Sequence, residues 1–169
     1  YAMAQLQRYA KVKLRDKTGM AVLAAQPPLL AFVMWIVFPK PTTALMFMVA
    51  LSCLWFGMSA SVRELITDRV IWLRERRVGV GVAPYLLSKV VVLGVFSTLQ
   101  CVSFVGLLYW VLEMGGYGYD FLSLAGVGTL TGLVGMSLGL MVSAYWTSSE
   151  AAVGTLPLLL IPQITFSSI

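Results

Sequence analysis

Histidine is missing from the 169 residues, the acids number only seven, and Cys53 and Cys101 are the only cysteines. Each scarcity removes a chemistry. Without His and with so few carboxylates, little is left from which to build a zinc site or a hydrolytic triad. Both cysteines fall inside apolar runs without CxxC spacing, so small buried hydrophobes are the preferred reading over a disulfide or a metal pair. No Gly-rich loop ending in Gly-Lys-Ser/Thr follows a strand, so no nucleotide-binding core is expected here. Charge is scarce as well: charged residues make up 11% and apolar residues 59%, against about 25% and about 45–50% in soluble chains. So few charges cannot give a water-compatible surface, and the solvent for most side chains must be lipid. Tyr1 is not followed by a secretory leader pattern. With no initiating Met, and with Ile169 inside an apolar stretch, the chain reads as a piece of a longer polypeptide.

What is present is a series of apolar segments. Residues 1–17 form a basic amphipathic stretch in which Leu6, Tyr9, Ala10, Lys13 and Leu14 recur at helical spacing. An interfacial helix is preferred to a solvated linker, because an apolar stripe can dip into the acyl region while cations meet anionic headgroups. Spans are expected at about 20–38, 44–62, 89–112, 121–146 and 151–169, each near the ~20 residues that cross a hydrocarbon core. Pro27 and Pro28 in the first, and Pro157 and Pro162 in the fifth, remove backbone donors, so kinks or breaks are expected there. Gly128, Gly132, Gly135 and Gly139 make two GxxxG matches in the fourth span, a spacing that lets helix backbones approach closely in lipid. Gly115 to Tyr119 reads as a short turn with aromatic anchors.

The one dense charge cluster inside the chain runs from Arg63 to Arg77, with Val62, Leu65, Ile66, Val70 and Leu73 between the charges at helical spacing. It reads as a single amphipathic helix over 63–77, ended by Gly79, Gly81 and Pro84, and lying outside the bilayer. Its apolar face, with Trp72 and Leu73, is expected to be buried, and its mixed charges suit docking of a charged partner. The plainer reading is a solvated helix that only sets topology. Eleven of the twelve basic residues fall in the amino-terminal stretch, in this helix or at Lys89; Lys40 is the exception. By the positive-inside rule the N-terminus and the charged helix are then cytoplasmic. The middles of the spans hold no ionisable residue, which argues against proton relays, ion-coupled carriers and intramembrane proteases.

Asp68-Arg69, Trp72 and Glu75, followed by Tyr85 to Lys89 with three residues between, resemble the first cytoplasmic loop of ABC-transporter permeases of the type-2 exporter class, specifically the G subfamily. There an acidic-basic pair, an aromatic and a Glu form the coupling helix, and a Tyr-x-x-x-Lys signature opens the third span. Residues 11–16 with Gln26, Pro27 and Pro28 resemble the connecting helix and first span. Residues 139–143, 149–151 and 157–162 resemble the junction of the fourth and fifth spans.

The resemblance implies an all-α polytopic bundle of six spans, of which the fifth is cut short here, with a connecting helix over 1–17 and a transmembrane domain over 18–169. It implies a permease half that pairs with a second half, in a homodimer, with the path between the copies. No catalytic site and no metal site is expected in this chain; ATP and Mg belong to an ATP-binding cassette domain, amino-terminal on the same polypeptide. The substrates it implies are lipidic or hydrophobic; the minimal external loop between the third and fourth spans favours a bacterial inner membrane. Asp68, Arg69, Trp72, Leu73, Glu75 and Arg76 would couple to the motor. Leu54, Phe56 and Phe166, at membrane depth, are candidates to line the path, with packing inside the bundle as the plainer alternative. The competing functional reading is a membrane scaffold or channel subunit whose charged loop only sets topology.

Overall fold

The computed structural model describes residues 2–77 and 81–165, and of residues 2–6, 75 and 76 the backbone only. The described residues form eight α-helices and one 3-10 turn. In order they are α1 (Ala2–Arg15), α2 (Lys17–Val37), α3 (Thr43–Ser61), α4 (Glu64–Thr67), α5 (Arg69–Arg77), α6 (Val82–Val111), the turn Met114–Tyr117, α7 (Phe121–Tyr145) and α8 (Ser149–Thr165).

Helix starts fall where the sequence supplies a side-chain acceptor for an orphan backbone donor. Asp16 accepts from the Gly19 N–H at 3.1 Å, Thr42 from Leu45 at 3.2 Å, Asp120 from Ser123 at 2.9 Å and Ser148 from Ala151 at 3.1 Å. The Ser123 backbone N–H and then its hydroxyl hold the Asp120 carboxyl below its ordinary range. The α6–α7 turn is closed by two residues in the left-handed region, Glu113 at φ 48° and Gly118 at φ 82°. Met114 is buried beneath it, and the Tyr109 hydroxyl donates to the Tyr119 carbonyl at 3.2 Å.

Among the described residues, four helical stretches are long and apolar enough to cross a membrane: 21 residues over Lys17–Val37, 25 over Thr43–Thr67, 30 over Val82–Val111 and 25 over Phe121–Tyr145. The fifth expected span is a helix, α8, but its 17 described residues fall short of a full crossing, so four crossings and not five are found among the described residues. The third span starts seven residues before the expected Lys89, at Val82. Pro84 therefore does not end the charged helix. It sits in the first turn of α6, where its missing N–H is an orphan in any case.

The other prolines lie inside their helices. α2 continues through Pro27 and Pro28, and α8 through Pro157 and Pro162, without a break. Pro27 withholds the N–H that would have reached the Leu23 carbonyl. That carbonyl instead accepts from Gln100 Nε2 of α6 at 2.8 Å, and the same amide reaches Gln26 Oε1 at 3.3 Å. A neighbouring side chain has replaced the lost donor, which is how proline is tolerated in lipid. Gln100→Leu should therefore cost about 1 kcal/mol of bundle stability. The cost should shrink when Pro27→Ala is combined with it, since alanine restores the N–H. A double-mutant cycle on unfolding of the full-length protein measures the coupling.

α3 is the hub of the bundle, packed chiefly on α7 and also on α6, α2 and α8. Gly128, Gly132, Gly135 and Gly139 all lie buried on one face of α7. A Cβ on Gly57 of α3 would sit 1.9 Å from the Gly132 carbonyl oxygen, and one on Gly135 would sit 2.2 Å from the Leu54 oxygen. The two helices thus meet backbone to backbone, the packing the GxxxG spacing predicts. Ser61 adds an interhelical hydrogen bond, its hydroxyl lying 2.9 Å from the Met136 carbonyl. Phe56 and Phe104 fill the space between α3 and α6 edge to face at 5.3 Å.

Candidate functional site: a charge node at one end of the bundle

The charged segment after α3 is not one helix over 63–77. It breaks at Asp68 into α4 and α5. α4 is docked from its start: Ser143 Oγ of α7, itself buried, accepts from the Leu65 N–H at 3.0 Å and the Ile66 N–H at 3.3 Å. Arg63, the cap residue of α4, makes no side-chain cap, so a hydroxyl from another helix does that job. Ser143→Ala should leave both donors without this acceptor and cost about 1 kcal/mol. Faster hydrogen exchange confined to residues 64–67 would report it.

With α4 held there, Glu64 and Asp68 face the first turns of α6 and the amphipathic α1. Lys89, only 1% exposed, bonds Asp68 and reaches Glu64 at 3.3 Å. Lys13 pairs with the other oxygen of Glu64, and the Tyr9 hydroxyl donates to Glu64 as well. The Lys89 ammonium also lies 3.8 Å from the centre of the Tyr9 ring and 5.8 Å from that of Tyr85. Burial, reinforced by the Glu64 charge, pushes the Tyr9 hydroxyl well above its ordinary range, so it remains a neutral donor. Two carboxylates thus meet two ammonium groups, and the buried charges are matched. The node ties α1, α4, the α4–α5 joint and α6 into one polar block.

Trp72 stacks on Tyr85 at 4.5 Å, anchoring α5 to α6. Arg69, with Trp72, Tyr85, Ser143 and Trp146, lines a cavity of about 220 Å³ on one side of that stack. Leu73 departs from expectation: it is 50% exposed, with Val70 at 79% and Ile71 at 42%, and Trp72 is the one described apolar side chain of α5 that is not exposed. Asp68 points into the node. Glu75 and Arg76 lie on α5, with side chains outside the described residues, and Phe166 lies outside them altogether.

Leu54 and Phe56 are enclosed within the bundle, Leu54 against α8 and Phe56 against α6. Intra-bundle packing is what the structure assigns them, and they present no outward face. Tyr9, Lys13, Glu64 and Ser143 are site residues that the sequence does not mark. The first two share a helical stripe in the sequence, but nothing there shows that the stripe meets Glu64.

Apolar helices of membrane-crossing length, with the buried charges gathered at one end, define an integral, multi-pass membrane domain. The sequence matches the family model of the ABC-2 type transporter over residues 2–169. No solved structure matches it. The chain belongs to the ABC-2 type transporter family and is the membrane, or permease, part of an ABC transporter. Membrane domains of this family pair with ATP-binding cassette components.

Proposed function

We propose that this domain is one half of an ATP-driven exporter of the G-subfamily kind, moving lipidic or hydrophobic compounds along a path between two copies of the chain. The observation that carries the reading is the charge node. It joins α1, α4 and the entry of α6 into a block, from which α5 extends with Arg69, Val70, Leu73 and Arg74 exposed. Force applied to α5 would reach α6 through the Trp72–Tyr85 stack and the Asp68–Lys89 pair, and α3 through the short α4. An ATP-binding cassette domain, amino-terminal on the same polypeptide and carrying ATP and Mg, would supply that force by rigid-body rocking. The concentration of basic residues at this end supports a cytoplasmic N-terminus, in a bacterial inner membrane. The outward side chains Leu29, Phe32, Trp35 and Ile36 of α2 suit either lipid or the facing copy.

Glu75 and Arg69 are assigned charged contacts with the motor. In the full-length assembly, Glu75→Gln should lower substrate-stimulated ATP hydrolysis by roughly tenfold, the loss of about 1.4 kcal/mol of coupling, while leaving the protein folded. Unchanged hydrolysis and unchanged stimulation would remove the coupling role and favour a helix that only sets topology.

A further inference from the structure

The cavity of about 220 Å³ beside the Trp72–Tyr85 stack joins two hydrogen-bond donors to an apolar wall. Ser143, which lines it, is 2% exposed and spends its two lone pairs on the Leu65 and Ile66 N–H groups. Its hydroxyl hydrogen is what remains to donate, and among the described residues no acceptor takes it. Arg69 lines the same cavity and no carboxylate does; the described ion pairs of Glu64 and Asp68 are with lysines. Glu75 stands six residues along α5 from Arg69, whereas side chains on a helix pair at three or four. The apolar wall comes from α6, where Val82 and Leu86 line the cavity and exposed Val90 continues their row one turn further into the membrane span. Trp146, at the end of α7, stands at the rim, as tryptophans do at the headgroup level.

We propose that this cavity binds the carboxylate of a long-chain fatty acid from the leaflet at this end of the bundle. One carboxylate oxygen accepts from the Arg69 guanidinium and the other from the Ser143 hydroxyl, while the chain lies along Val82, Leu86 and Val90. The volume equals that of about seven waters at ~30 Å³ each, enough for a carboxylate and the first carbons of its chain. A carboxylate ends its chain and can reach a buried hydroxyl head first, whereas a phosphodiester carries a substituent on either side of its charge. A short soluble carboxylate would satisfy the donors but leave the row on α6 uncovered. A fatty acid seated there touches α5, α6 and α7 at once, and it occupies the guanidinium that the proposed function assigns to the motor.

The test is made on the full-length assembly in phosphatidylcholine nanodiscs doped with equal amounts of oleate and oleyl alcohol, which share one chain and differ in the charged end. Molecules carried into the gas phase are counted by native mass spectrometry. The wild type should retain oleate in preference to the alcohol. Arg69→Gln should cut that preference by roughly tenfold, the loss of one hydrogen bond to a charged group. Leu86→Trp, which fills the cavity from a partly exposed wall position and keeps the arginine, should lower it as well. Arg77→Gln removes the same charge from an exposed position of α5 outside the cavity and should leave the preference in place. Equal retention of the alcohol, an undiminished preference in Arg69→Gln, or an equal loss in Arg77→Gln would overturn the site. Millimolar acetate should not displace oleate; displacement would assign the cavity to a soluble carboxylate instead. In the same nanodiscs oleate should lower substrate-stimulated ATP hydrolysis. That second readout depends on the motor contact of Arg69 in the proposed function, and the retention count does not, so the two can fail separately.

Discussion

Gly135→Leu should prevent the domain from folding, and even Gly135→Ala should lower stability by about 1–3 kcal/mol. The first added carbon would lie 2.2 Å from the Leu54 carbonyl oxygen and 3.0 Å from the Leu54 Cα. These are backbone atoms of the hub helix, which cannot swing aside as a flexible side-chain tip would. Relief requires α3 and α7 to separate, and that would strain the Ser61–Met136 hydrogen bond and the Ser143 docking of α4 as well. Gly57→Ala meets the same obstacle from the other helix, 1.9 Å from the Gly132 oxygen. Gly126→Ala is the control, since nothing lies within 4 Å of its added carbon. The yield of monodisperse full-length protein and its thermal midpoint in detergent should fall for positions 57 and 135 and hold for 126. Equal tolerance at all three would contradict the close crossing.

Lys89→Met is expected to have the second large effect, about 3–5 kcal/mol, because removing one partner of a buried ion pair leaves an uncompensated charge. Asp68 would lose its ammonium, while Glu64 would keep Lys13 and Tyr9. The loss should fall toward the lower end, since the Asp68 side chain is 27% exposed and water can reach it. Combining Lys89→Met with Asp68→Asn should recover much of the stability by removing the stranded carboxylate. Lys89→Arg should rescue poorly, because the Tyr9 ring lies 3.8 Å from the ammonium and leaves little room for a planar fork. Chemical denaturation of the wild type, Lys89→Met, Asp68→Asn and the double variant gives the cycle. A Lys89→Met cost below that of Ser143→Ala would mean that the node contributes little.

The all-helical, membrane-embedded class was legible from hydropathy and charge scarcity, because lipid allows few alternatives to apolar helices of about 20 residues. Some helix starts carry a local signal, Asp16, Thr42, Asp120 and Ser148 each accepting from a donor three residues along the chain, whereas α6 starts at Val82 with no side-chain cap to mark it. The glycine face of α7 could be read for the same reason, since a four-residue spacing is a local pattern with a packing consequence. The site was legible only in outline. The segment 63–77 stood out by its charge, but its break at Asp68 and the exposure of Leu73 depend on where α6 and α7 stand.

Sequence alone was enough to establish the solvent, the helical class and where along the chain the charged segment falls, all of which follow from composition and short-range periodicity. Tertiary structure decided which charges are partners. Lys13 and Glu64 are 51 residues apart, and Gln100 answers the proline of a helix 77 residues away from it by way of Leu23. It also decided that Phe56 is interior and that Pro27 does not break α2. A residue type announces that a polar group needs a partner. Which distant group meets that need depends on how the helices pack, and no local pattern in the chain encodes it.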